Sequence, residues 1–266
     1  MSYRKRPAFT LIELLVVISI IGLLATITVV SMANSENKAA VASGLQFEAS
    51  VQHAVGSDVV AMWDFDDGSG TSATDTSGNG NVATLHPGVT WACASANPSN
   101  TPSGQGCSLH FSGSSSYVST AISNVNDGTV SFWFNTQNIS TYQLLAGKRT
   151  SGCFGTGIYV NPPNILQIYN AGPETLIAPV QQGKWYNLVV VRTGAGAEAD
   201  FYLNGRLALK NAYNLNLNDL VDTIGSSCAG ASALNGYMDN VRIYGTALGA
   251  SRIEKIYAEE KAKYES

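Results

Sequence analysis

The spacing of hydrophobic residues changes character along this chain. From Leu14 to Val30 they are almost continuous, and no charged residue stands between Glu13 and Glu36. At about 1.5 Å of rise per residue, such a helix crosses most of a bilayer core about 30 Å thick. From Ser31 to Val55 the apolar residues Ala39, Ala40, Val41, Leu45, Phe47, Val51, Ala54 and Val55 recur at helical spacing. One helix is therefore predicted from Phe9 to Val55, on the order of 70 Å long. Gly44 weakens it by about 1 kcal/mol, and Gly56-Ser57-Asp58 ends it.

Beyond Val59 the pattern becomes one of short strands. VVAMWDF (59–65), VATLHPGVTWA (82–92), CSLHFS (107–112), YVST (117–120), TVSFWFNT (129–136), YQLLAGK (142–148), GIYV (157–160), ILQIYN (165–170), WYNLVVVRT (185–193) and NGYMDNVRIYGTAL (235–248) are divided by Gly, Asn and Ser turns. In TVSFWFNT the alternation is strict: Val130, Phe132 and Phe134 lie on one face, and Ser131, Trp133 and Asn135 on the other. In ADFYLNGRLAL (199–209), Asn204-Gly205 has the spacing of a two-residue type I′ hairpin. Strands without interleaved helices predict an antiparallel sandwich. Ser251 and Glu254 stand at capping-box spacing. SRIEKIYAEEKAKYES is thus predicted to be a short charged helix with Ile253, Ile256 and Tyr257 as its buried stripe. The fold class is mainly β, between a long N-terminal hydrophobic α-helix and a short C-terminal one.

Charge sharpens this picture. Arg4, Lys5 and Arg6 precede the apolar stretch, so the N-terminus stays in the cytoplasm and everything after Ser35 is exported. The chain has 15 basic and 19 acidic residues. Loss of residues 1–8 would leave 12 against 19, a net charge of −7, which excludes attraction to nucleic-acid phosphates. Four cysteines, Cys93, Cys107, Cys153 and Cys228, follow the membrane stretch, and an exported compartment favours two disulfides. Three connectivities are open. The preferred one pairs Cys93 with Cys107, closing the loop ASANPSNTPSGQG, and Cys153 with Cys228. No Cys/His spacing suggests zinc, and the histidines His53, His86 and His110 are isolated.

Glu13 is out of place in a simple membrane anchor, because a carboxylate at the edge of a hydrophobic core is costly unless paired. With Ala8-Phe9-Thr10-Leu11-Ile12 before it, the string resembles the cleavage and assembly signal of type IV pilins and pseudopilins. That resemblance implies that a prepilin peptidase cuts between Ala8 and Phe9 and methylates the new amine. It implies further that Glu13 pairs with the amine of a neighbouring subunit. Two residues depart from the family: Ala8 stands where Gly is usual, and Val30 where many members carry a Pro that kinks the helix. The competing readings are a plain signal-anchor and a secretory signal cleaved after Ser31-Met32-Ala33.

The strings WDFDDGSG…DTSGNGN (63–81), LHFSGSSSYV (109–118), TVSFWF (129–134), GKWYNLVVV (183–191), DFYLNGRL (200–207) and LNGYMDNVRIYGTAL with IEKIY (234–257) resemble the laminin-G-like, concanavalin-A-like jelly rolls. The resulting organisation is a leader at 1–8, a transmembrane and assembly helix at 9–56, and a lectin-like sandwich at 59–266. Related jelly rolls carry a structural Ca²⁺, and on that resemblance Asp66, Asp75, Asn79 and Asp239 are the candidate ligands. The alternative is an Asx-turn in which these side chains bond their own backbone. Glucanases of this fold set carboxylates at alternate positions of one strand, about 5.5 Å apart. Glu198 and Asp200 alternate here, but no E-x-D-x-x-E array exists, so no enzyme is expected. Trp91, Tyr142, Phe154 and Tyr213 are candidate platforms for a glycan. The expected protein is a filament subunit or secretion pseudopilin displaying a lectin-like domain for adhesion. Its partners would be the prepilin peptidase, other pilin subunits and a glycan. It would span the inner membrane once before assembly and stand at the cell surface after it. The alternative is a membrane-anchored carbohydrate-binding protein that never polymerises.

Overall fold

A computed structural model describes Ile12, Leu15, Val16, residues 18–20 and residues 58–265, apart from 94–100, 114–115, 124, 126, 149–155, 170–174, 193–197 and 227–231. The chain divides into two compact units, Met1–Phe47 and Glu48–Ser266. In the first, all the described residues are helical, and Ser19 Oγ donates to the Leu15 carbonyl at 2.8 Å. No helix among the described residues is long and apolar enough to cross a membrane. Most of the predicted long helix, with its end at Gly56-Ser57, lies outside them.

The second unit is a sandwich of two antiparallel sheets. The first sheet is ordered β14 (Arg206–Asn214), β13 (Glu198–Leu203), β12 (Trp185–Arg192), β7 (Gly128–Thr136), β16 (Asn235–Tyr244), β5 (Cys107–Ser112) and β4 (Val89–Cys93), and β1 (Val59–Trp63) also pairs with β16. The second is ordered β11 (Thr175–Pro179), β10 (Ile165–Tyr169), β9 (Gly157–Asn161), β8 (Gln143–Gly147), β15 (Thr223–Ile224), β6 (Val118–Ser119), β3 (Ala83–Leu85) and β2 (Ser72–Ala73). Their inner faces form one core. Phe132 and Phe134 of β7, Leu188 and Val190 of β12, Ile158 and Val160 of β9, and Leu166 and Ile168 of β10 all belong to it. The predicted hairpin turn lies between β13 and β14. Asn204 and Gly205 both have positive φ, 51° and 74°, as a type I′ turn requires.

Four details differ from the sequence expectations. VATLHPGVTWA contains two strands, β3 and β4, because Gly88 turns the chain at φ 91° between them. β11 and the two-residue β2 and β15 are additional strands. A short helix, α1 (Leu217–Asp222), interrupts the strands; it is capped by Asn216, whose side chain accepts from Asn218 N. The C-terminal helix α2 (Ala250–Glu260) is capped at Gly249 with no side-chain bond, so Ser251 lies inside it and makes no capping box.

α2 explains the double-sided burial of the first sheet. Its Ile253 packs against Val189, Val191 and Tyr202 on the outer face. A 3₁₀ turn, Lys261–Lys263, then carries Tyr264 into a second apolar cluster with Ala92, Trp133, Trp185 and Tyr237. The polar-looking face of TVSFWFNT is therefore covered by the chain's own C-terminal segment.

Candidate functional site

Beyond β1 the chain enters an acid-rich corner at Asp64-Phe65-Asp66-Asp67. Phe65 has φ 52°, a left-handed conformation uncommon outside glycine, and its ring is buried in the core. The following loop is knitted to β1 by its own side chains. Asp75 Oδ1 accepts from Met62 N at 3.0 Å and Ser77 N at 2.9 Å, and its Oδ2 accepts from Asn81 N at 2.8 Å. Asn79 Nδ2 donates to the carbonyls of Val59 at 2.6 Å and Val60 at 3.2 Å. Burial pushes the Asp75 carboxyl up, but the hydrogen bonds from Ser77, Met62 and Asn81 outweigh it and hold the pKa below the ordinary value.

Asp66 and Asp239 do meet, across Lys263. Asp239 sits on β16 opposite Trp133 and is completely buried. Lys263 Nζ lies 2.9 Å from Asp239 Oδ2 and 3.8 Å from Asp66 Oδ1. Tyr264 O–H donates to Asp239 Oδ2 at 2.8 Å, and the Asn240 backbone N–H donates to Oδ1 at 2.8 Å. Asp66 Oδ1 also accepts from Cys107 N at 2.7 Å. That contact ties the corner to the Cys93–Cys107 disulfide, which links adjacent β4 and β5. Burial drives the Asp239 carboxyl up to about 7, against the opposing pull of Lys263 and Tyr264.

An outer layer supports this centre. Glu260 pairs with buried Arg242 and accepts from Trp133 Nε1 at 2.6 Å. The Tyr264 ring stacks on Trp133 with centroids 4.0 Å apart, and Trp185 lies 5.1 Å from Tyr264. The hydroxyl of Tyr257 donates to Glu265.

These residues do not fit a calcium ion. Ca²⁺ takes six to eight oxygen ligands, whereas Asp75 faces three N–H donors, Asn79 aims its amide nitrogen at carbonyls, and an ammonium stands between Asp66 and Asp239. Among the described residues, no group of three or more His, Cys, Asp or Glu is placed to hold a metal. Sequence reasoning missed Lys263, Tyr264, Glu260 and Arg242. Their signal was a Lys-Tyr pair just beyond the apolar stripe of α2, together with a Trp on the supposedly polar face of β7.

The other candidates are dispersed. Trp91 is half-buried, and its Nε1 donates to the Gly70 carbonyl at 2.9 Å. Tyr142 is exposed. Glu198 and Asp200 lie on the face of β13 opposite the core residues Ala199 and Phe201. His86 stacks on Tyr117 at 3.8 Å and meets Ser119 Oγ at 2.9 Å. His110 lies 4.9 Å from the Tyr237 ring, and burial lowers its pKa. Ala8, Phe9, Glu13, His53, Cys153, Phe154 and Cys228 lie outside the described residues, as does the side chain of Tyr213.

Comparison with known proteins follows the same division of the chain. Residues 3–29 match the prokaryotic N-terminal methylation motif. Residues 112–254, more than half of the chain, match the concanavalin A-like lectin/glucanases superfamily. The chain belongs to that superfamily. Three solved structures show the same concanavalin A-like fold. The receptor-binding domain of botulinum neurotoxin type G is 13% identical with a TM-score of 0.55, the match covering 76% of this chain and 51% of that one. The Trypanosoma rangeli sialidase, solved with sialic acid, is 14% identical with a TM-score of 0.57, covering 78% of this chain and 34% of that one. Domain 4 of the arabinanase AbnA from Geobacillus stearothermophilus, solved with arabinotriose, is 17% identical with a TM-score of 0.53, covering 75% and 98%. The concanavalin A-like chain thus spans about half of the neurotoxin domain and a third of the sialidase, and at these identities the likeness concerns the fold alone. None of the curated proteins compared matches the sequence.

Proposed function

We propose that this chain is a type IV pilin-like or pseudopilin-like filament subunit that displays a lectin-like domain for surface adhesion or glycan binding. The observation that carries the reading is the union, in one chain, of the methylation motif at 3–29 and the concanavalin A-like domain at 112–254. The motif suggests a membrane-anchored precursor, cut by a prepilin peptidase before Phe9. In the filament, Glu13 neutralises the methylated amine of the next subunit, because an apolar interface leaves a carboxylate no cheaper partner. On this reading the domain acts by binding and not by catalysis.

Mass spectrometry of the mature N-terminus tests the reading. A chain beginning at methylated Phe9 is expected, and an intact Met1 or a start at Asn34 overturns it. Glu13→Val is expected to insert into the membrane normally yet fail to assemble. Normal filaments from that variant would instead favour the membrane-anchored lectin that does not polymerise. Binding is tested by presenting the full chain in detergent to a glycan array.

A further inference from the structure

The contacts around Asp239 describe more than an ion pair. We propose that Asp239 and Lys263 condense into an intramolecular amide, a side-chain cross-link joining the C-terminal segment to the central strand β16. The nucleophile is in place, with Lys263 Nζ 2.9 Å from Oδ2 of a carboxyl that is 0% exposed. Both carboxyl oxygens are held by donors: Oδ1 by the Asn240 N–H and Oδ2 by the Tyr264 O–H, each at 2.8 Å. The first exists because β16 shifts register between Asp239 and Arg242, where Asn240 takes φ 45°. Backbone distortion of this kind is stored where the surrounding structure enforces it. The two donors together polarise the carboxyl and stabilise the charge that develops when an amine adds to it.

A proton acceptor is also present. Asp66 Oδ1 lies 3.8 Å from Lys263 Nζ. It takes one proton from the ammonium and frees the lone pair. Nζ then attacks Asp239 Cγ, the Nζ–Cγ bond forms, and the Cγ–Oδ2 bond breaks. Oδ2 leaves as water carrying two of the three ammonium protons, one of them relayed through Asp66 and the other through Tyr264 O–H. The third proton remains on the amide nitrogen, so ammonium and carboxylate become one amide and one water, with no oxidant or cofactor. Oδ1 becomes the amide oxygen, still held by Asn240.

The surroundings favour the products. Taking a charge from water into a protein interior is costly, and Asp239 is wholly buried, opposite Trp133 and under the Tyr264 hydroxyl. Condensation removes both charges at once. The cross-link is independent of the assembly and binding roles proposed above.

Mass measurement of the reduced, full-length chain decides the matter. The expected product is one water lighter than its sequence, and proteolysis yields a branched peptide joining Asp239 to Lys263. Lys263→Arg keeps the positive charge and is expected to restore the full mass. Asp66→Asn leaves the reacting pair intact, and is expected to slow the water loss after refolding by on the order of a hundredfold. Separate Asp239 and Lys263 peptides from a chain of full mass overturn the proposal. So does a water loss that persists in Lys263→Arg and maps to Asp239-Asn240, which is a cyclic imide. Asp66→Asn linking as fast as the wild type overturns the assigned proton transfer.

Discussion

Removing the Asp75 carboxylate tests whether the acid-rich loop is held by its own hydrogen bonds. Three backbone N–H groups converge on it, from Met62, Ser77 and Asn81. Hydrogen bonds to a charged group contribute about 1.5–3 kcal/mol each, but these three share one acceptor and do not add. Met62 is buried on β1, so in Asp75→Ala its N–H loses a partner that water cannot replace; Ser77 and Asn81 lie where water can reach. Counting the first in full and the others at a fraction gives a loss of about 3 kcal/mol. Asp75→Asn keeps the Oδ1 acceptor and turns an amide N–H₂ toward Asn81 N–H, for a loss of about 1–2 kcal/mol. The pH dependence gives a second readout. The folded pKa lies below the unfolded one, so the stabilisation is present above about pH 5 and disappears as pH falls through the folded value. Denaturant unfolding of the full chain in detergent, followed by near-UV circular dichroism, measures both. A loss below about 1 kcal/mol for Asp75→Ala, or a variant and wild type that lose stability in parallel on acidification, would refute the reasoning.

Further outcomes follow from the same geometry. A chelator is expected to leave the melting temperature unchanged, because Lys263 Nζ occupies the space between Asp66 and Asp239; a calcium-dependent rise on thermal melting counts against this. Glu260→Ala takes the nearer carboxylate from Arg242, which is 4% exposed, and removes the acceptor of the Trp133 indole. A loss of about 3 kcal/mol is expected, with a change in tryptophan fluorescence reporting release of α2. Cys93→Ser with Cys107→Ser opens a link between residues 14 apart, for a loss of about 3 kcal/mol on the chain-entropy account, read by denaturant titration in the absence of reductant.

Much of the sandwich was legible because its determinants are local. The period-two alternation of residues 129–136 places Phe132 and Phe134 in the core, and Asn204-Gly205 supplies the positive φ of the hairpin turn. What was not legible depends on partners distant in sequence. α1 has only six residues, too few for a helical period to show, and its start is marked by one Asn cap. Ser251 and Glu254 have capping-box spacing, yet the helix begins two residues earlier than that spacing implies, because Gly249 already accepts the first backbone bonds from Arg252 and Ile253. Trp133 alternates with polar neighbours and reads as solvent-facing. It is buried because Tyr264, 131 positions further on, stacks over it.

The acid-rich corner separates what spacing can specify from what folding decides. Asp75, Asn79 and their neighbours form an oxygen-rich pattern that suits either a bound cation or an Asx-turn. The choice depends on which groups face those oxygens, and here they are the backbone donors of β1 and of the loop itself. Asp66 and Asp239 are far apart in the chain, and their convergence is a property of the fold, since β16 brings Asp239 beside the exit from β1. Two carboxylates brought that close need positive charge, and the fold supplies it as Lys263 from the segment after α2. The same segment places Tyr264 over Trp133 and its hydroxyl on Asp239, so charge balance and apolar burial are satisfied by adjacent residues. The acid that both residues bond, Asp239, lies on another element. A sequence can therefore announce that a corner will be anionic without revealing that its counter-ion is covalently part of the chain.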